Sequence, residues 1–211
     1  MKHIADNELF NAILLCTIIG EFLLPCLLER YYPDYNRKTM VMSALGSPQS
    51  PVRLVYNIWL IWLGGFLTFT AFVYFEKAKE GSPVLSFLLL LSIGIFAIGA
   101  GVISGLFSVN DSKSVVTVAS KIHGVSAAIG FMTLLFFPLL QGIIAFASND
   151  LLQGIICIIS FLLAVLFFVF FIMGDKERFR NTILSYEGLW ERLCLFFMYV
   201  PFFYGAIKNI T

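Results

Sequence analysis

The sequence predicts an all-α polytopic membrane protein, a bundle of six transmembrane helices, and three observations carry that prediction. Hydrophobic residues fill 59% of the 211 positions and charged residues only 13%, against about 45–50% and about 25% in soluble domains, so an ordinary soluble fold is excluded. The apolar residues fall in runs long enough to cross a hydrocarbon core of ~30 Å as helices. Most of the 23 Phe lie inside those runs, where they suit lipid-facing surface.

The first run covers residues 9–28 and is interrupted by Glu21. The pieces on either side are too short to span alone, so Glu21 lies at membrane depth. A polar segment, 29–53, follows and is rich in Tyr, Pro, Ser and Gly. Between membrane helices so long a connection is either functional or partly re-entrant. The second helix is expected over 54–75, closed by a charged turn at 76–83. The third, 84–107, carries Gly101 and Gly105, a small-xxx-small spacing that permits close helix packing. After a polar loop at 108–120 the fourth helix occupies 121–146, and Asn149-Asp150 turns the chain tightly into the fifth, 151–173. That helix has scarcely a polar atom and should face lipid over much of its surface.

The last uninterrupted apolar run, 193–207, falls short of the ~20 residues a span needs. The sixth helix must start earlier, near 189, and run to about 208, which draws Trp190, Glu191 and Arg192 to membrane level. The chain reads as one membrane domain, 1–211, without internal repeat. Its N-terminus lacks a signal-peptide cleavage pattern, so the first helix is expected to be retained. Four Cys (Cys16, Cys26, Cys157, Cys194) sit in or beside apolar runs without a CxxC pair and read as small buried hydrophobes.

Parity then sorts the polar residues. Six spans place both termini on one side and the odd-numbered loops on the other, the loop-one face. Glu21 lies about 10 Å below that face at ~1.5 Å per residue. Asn57, His123, Glu191 and Arg192 sit just inside helices that begin there. Ten Lys and Arg belong to the loop-one face and four to the opposite one, which favours a cytoplasmic loop one. The bias weakens if Arg53, Lys121 and Arg192 serve a site instead.

Each of these residues has a chemical and a structural reading. Ser47 and Ser50, in the Ser-Pro turns of 43–51, read either as a rigid entry to the second helix or as substrate contacts; a nucleophilic Ser47 lacks a GxSxG elbow. His123 reads as a general base, a proton relay or an interfacial hydrogen-bonder. Glu21 needs a cation partner, a hydrated cavity or a proton of its own; Arg53, Lys121 and Arg192 are the candidate cations, and an internal ion pair is the structural alternative. Glu191 is favoured near a helix N-terminus by the helix dipole, whereas Arg192 should pair or clamp an anion such as phosphate. Asn110 and Asp111 either cap a turn or reach into the same site. No spacing calls for a metal or another cofactor, and the net charge of +1 argues against a nucleic-acid partner.

Tyr35-Asn36, the segment Ser43-Ala-Leu-Gly-Ser-Pro-Gln-Ser-Pro51 with Asn57, His123-Gly124, and Gly188-Leu-Trp-Glu-Arg192, in this order, resemble the prokaryotic membrane family called domain of unknown function 998. The resemblance covers nearly the whole chain, and its specificity lies in the ordered combination. Where family members often carry Phe-Pro at the end of the third helix, Phe107-Ser108 stands here. The family brings no established activity. It is distantly similar to eukaryotic six-helix membrane proteins linked to glycosylphosphatidylinositol remodelling and autophagy, which implies a lipid-related role by fold analogy alone. It also implies the prokaryotic cytoplasmic membrane as the location.

Three functions compete on these residues. In an intramembrane enzyme for a lipid or prenyl-type substrate, His123 is the base, Ser47 or a water the nucleophile and Arg192 the anion clamp, with Glu191 beside them. In a carrier or receptor for a small amphiphile the same cluster, with Glu21, Asn57, Asn110, Ser50 and Arg192, lines a cavity, and Glu21 and His123 form a proton-coupled or ligand-binding pair. In a structural or regulatory subunit the cluster only fixes helix packing. Membrane lipids are the expected partners in each case.

Overall fold

The computed structural model describes residues 2–110 and 115–210; Asp111 and Lys113 fall outside them. Six helices are long and apolar enough to cross a membrane: α1 (Glu8–Tyr31), α2 (Arg53–Ala78), α3 (Pro83–Leu106), α4 (Val118–Ala147), α5 (Leu151–Gly174) and α6 (Glu187–Ile210). No strand occurs among the described residues. The protein is therefore a multi-pass, all-α integral membrane protein.

Local chemistry sets the helix ends. Asn7 caps α1 by accepting from the Phe10 amide, and Ser82 caps α3 ahead of Pro83 at the first turn. Thr117 and Ser120 form a reciprocal capping box at the start of α4. The turn into α5 passes through Asn149 at φ 60°, a left-handed conformation that Asn tolerates, and Asp150 then caps α5 through the Gln153 amide. α1, α2, α4 and α6 each begin or end two or three residues beyond the expected run, because polar caps and flanks still satisfy the terminal backbone.

The helices pack in a ring, α2 on α3, α3 on α4, α4 on α5, α5 on α6 and α6 on α1, with a lighter contact closing α1 to α2. Glycine allows the closest approaches. A Cβ on Gly101 would stand 2.5 Å from Gly64 Cα, and one on Gly105 would stand 2.8 Å from the Asn57 carbonyl oxygen, so α2 and α3 touch backbone to backbone. Around Gly101 the α3 ladder widens into a π-helical stretch, Ala97–Ile103, and Ser104 returns its hydroxyl to the Gly99 carbonyl. α4 is broken at Leu135–Phe136, ahead of Pro138, which has no amide to give and crowds the carbonyl four residues back. Ser92 of α3 donates to the Thr133 carbonyl at this break, 2.8 Å away.

The core is aromatic and draws α2, α4 and α6 together: Phe137 stacks on Phe202 with ring centres 3.9 Å apart, and Tyr74 meets both edge-on. α5 is the least buried span, as its composition predicts. The cysteines divide: Cys157 and Cys194 are buried, Cys26 is half-buried, and Cys16 is exposed on the outer face of α1, contrary to the expectation that all four pack inside. Helical periodicity explains Cys16, which follows the buried Leu14 and points away from Ile18.

Candidate functional site

Loop one folds back over the ring's mouth. Its 3-10 turn, Met42–Gly46, buries Met42 and Leu45 among the helix ends, with Ser47 and Ser50 buried beside them. The start of α6 holds it there. Gly188 lies against the Met40 and Arg37 carbonyls, where no side chain would fit, and the Leu189 amide donates to Lys38. Glu191 Oε2 accepts from the Met42 amide at 2.6 Å. Arg192 Nη1 donates to the carbonyls of Arg37, Met40 and Gly188, and Nη2 donates to the Tyr35 hydroxyl. Burial pushes the Tyr35 phenol up to about 12, with Arg192 beside it pulling the other way.

Beneath this loop lies a cavity of about 60 Å³ whose wall includes Glu21, Ser43, Tyr56, Ser104, His123 and Glu191. Five of the six spans and loop one thus meet at one point. With loop one in this position, that volume admits about two waters. Glu21 is 3% exposed, His123 5% and Glu191 6%, so the cavity lies within the bundle and not on its lipid surface.

Glu21 Oε2 accepts from Trp59 Nε1 of α2 at 2.7 Å. The indole reaches it because Gly20 leaves room: a Cβ there would stand 2.5 Å from the Trp59 ring. None of the three candidate cations pairs with Glu21 among the described residues. Arg53 donates to the Ser108 hydroxyl, Lys121 is exposed, and Arg192 is occupied with loop one. An indole hydrogen bond stands where the ion-pair alternative would place a cation.

His123 Nδ1 lies 2.8 Å from the Phe107 carbonyl oxygen. A carbonyl only accepts, so Nδ1 carries the proton and Nε2 keeps its lone pair in the neutral ring. The Phe107-Ser108 step thereby has a defined use: Phe107 orients the histidine, and the Ser108 hydroxyl accepts from both Arg53 and Asn57, each at 3.3 Å.

The remaining expected site residues stand away from the cavity wall. Asn57 Nδ2 also donates to the Gly46 carbonyl, while its Oδ1 and the Ser47 hydroxyl are buried without partners among the described residues. Ser50 Oγ accepts from the Val52 amide at the entry to α2, in the turn role. Asn110 ties the loop ahead of α4, donating to Val115 and Ser120. Asp111 lies outside the described residues. Ser43, Tyr56, Trp59 and Ser104 were not expected. Ser43 lies in the same proline-flanked segment as Ser47, but the 3-10 turn decides which serine faces the cavity. No three His, Cys, Asp or Glu come together as a metal site among the described residues.

The opposite membrane face also holds polar residues that parity did not select. Asn11, 2% exposed, donates to the Ala5 and Asn7 carbonyls, and Asn209 donates to Ala5 and to Asn11. Lys77 pairs with Asp6, and Lys208 with Asp150. The expectation that the unusual polar residues gather on one side is therefore corrected. Near a helix end Asn11 reaches loop carbonyls, and that low-cost arrangement leaves no mark in a hydropathy profile.

Compared with known proteins, the chain matches no curated protein and no solved structure. The comparison that does match bears out the resemblance read from the ordered motifs: a family model described as Protein of unknown function (DUF998) covers residues 21–208, and the chain belongs to that family.

Proposed function

We propose that this protein is a carrier or receptor for a small amphiphile with a basic group, and that the basic group engages Glu21 and Glu191. One observation supports this above others: Glu21, His123 and Glu191, from α1, α4 and α6, share the wall of one small cavity that no Lys or Arg among the described residues lines. Ionisable side chains inside a membrane are costly and mark ligand or ion pathways. Two carboxyls and a histidine offer an ammonium or a proton several acceptors, and no Lys or Arg among the described wall residues offers an anion a cation. The loop-one turn, held by Glu191 itself, closes the route from the nearer membrane face. Ligand entry must then loosen the Glu191–Met42 contact, which couples binding to loop position. The membrane is taken to be the prokaryotic cytoplasmic one, in line with the family.

The second reading is an intramembrane enzyme acting on a lipid or prenyl-type substrate, favoured by the oriented His123 next to room for water. Against it, Ser47 does not line the cavity and Arg192 is spent on loop carbonyls. Proteoliposomes carrying the purified protein separate the two. The carrier reading expects uptake of a lipophilic amine along an imposed pH gradient, reduced at least ~10-fold by Glu21→Gln with Glu191→Gln. Uptake equal to that of protein-free vesicles, or unchanged in the double variant, overturns it.

A further inference from the structure

At the face opposite loop one, the ends of α2, α4, α5 and α6 enclose a cleft of about 300 Å³. Its rim carries Lys77, Asp150 and Lys208, and its inner wall carries Gln141, Gln153 and the aromatic Tyr74 above Leu89 and Ala145. Gln141 lies six residues before the end of α4, roughly 9 Å below the membrane face. Neither glutamine side chain has a hydrogen-bond partner among the described residues, although both are partly buried. An amide at membrane depth without a protein partner marks a place where something else hydrogen-bonds.

The charges at the rim are balanced. Lys208 pairs with Asp150, and Lys77 pairs with Asp6 just outside the cleft. A simple anion entering here meets a carboxylate beside each lysine it approaches, Asp150 at Lys208 and Asp6 at Lys77. A ligand carrying both signs satisfies lysine and aspartate together. The volume is at the lower bound for small-molecule sites, and the gradient from charged rim to apolar floor follows that of a lipid at the interface.

We infer that this cleft binds a phosphoester bearing an ammonium group, with the phosphate on Lys208 and the two glutamine amides and the ammonium on Asp150. The site is separate from the cavity beneath loop one and needs none of its residues. Its test is native mass spectrometry of the full chain released from vesicles of equal phosphatidylethanolamine and phosphatidylglycerol. The wild type is expected to retain one phosphatidylethanolamine at least ~10-fold over phosphatidylglycerol. Gln141→Leu with Gln153→Leu should weaken phosphatidylethanolamine retention at least ~10-fold, and Lys208→Met should weaken retention by itself. Circular dichroism and melting of each variant exclude misfolding as the cause. Calorimetry with soluble phosphoethanolamine assigns the source: binding as tight as the lipid's, and lost in the same variants, supports the chemistry with a free solute as ligand. Equal retention of the two lipids by the wild type, or unchanged phosphatidylethanolamine retention in a well-folded double glutamine variant, overturns the inference.

Discussion

Gly101→Ala tests the closeness of α2 and α3, on which the cavity wall depends. The new Cβ would stand 2.5 Å from Gly64 Cα, 3.0 Å from Gly64 N and 3.3 Å from the Leu60 carbonyl oxygen. The first of these is about 1 Å inside ordinary contact, and all three partners are backbone, so no side-chain rotation relieves them. The helices must part, or the π-helical stretch must shift. Overpacking of this kind costs about 1–3 kcal/mol, roughly a 5- to 150-fold change in the folded-to-unfolded ratio. Gly94 lies on the same helix, and a Cβ there meets nothing within 4 Å. Gly94→Ala should therefore be neutral or slightly stabilising, since alanine loses less backbone entropy. Unfolding in mixed micelles of increasing sodium dodecyl sulfate, followed by tryptophan fluorescence, measures both variants. If Gly101→Ala unfolds at the same detergent fraction as the wild type and Gly94→Ala, the backbone contact between α2 and α3 does not exist as described.

Two further outcomes follow from the hydrogen bonds. Trp59→Phe removes the donor to Glu21 Oε2 and should cost about 1–3 kcal/mol; combined with Glu21→Gln in a double-mutant cycle, a coupling near zero would show that the indole does not hold the carboxyl. The hydrogen bond from Lys208 holds the Asp150 carboxyl below its ordinary value, so its stabilisation is present above the ordinary carboxylate range and is lost as pH falls through the depressed value. The wild type should accordingly lose melting temperature on acidification below about pH 4 more steeply than Lys208→Met, and parallel profiles would contradict the pairing.

Span arithmetic made much of the architecture legible. Glu21 and Glu191 are forced into the membrane because the apolar runs around them are too short, and both line the cavity. His123 follows from parity in the same way. What could not be read depends on local geometry. A search for a counter-ion to Glu21 looks for Lys and Arg, and an indole donor 38 positions away carries no charge to find. The choice of Ser43 over Ser47 rests on the phase of a five-residue 3-10 turn, and the proline spacing leaves that phase undetermined. The π-helical stretch has no hydropathy signature. Its glycines were visible as packing residues, but not as the place where the ladder widens to bring Ala100 and Ser104 to the cavity.

Arg192 decides the sign of the site. Read from sequence, an arginine at membrane depth implies an anion, and with it a phosphate-bearing substrate. Three peptide carbonyls and a tyrosine hydroxyl, all at the loop-one seam, receive its donors instead. Its neighbour Glu191 turns the other way, to the Met42 amide and the cavity. Adjacent helical residues point about 100° apart, so one turn of α6 fastens the loop with its cation and faces the cavity with its anion. A phosphate entering that cavity would meet two carboxyls and no cation, whereas an amine meets acceptors on both sides. The same helix carries Lys208 at its far end, where the balanced rim of the second cleft lies. If both proposals hold, the bundle presents an acidic site at one membrane face and a charge-paired site at the other, and their ligands differ in charge type because α6 distributes its ionic residues that way.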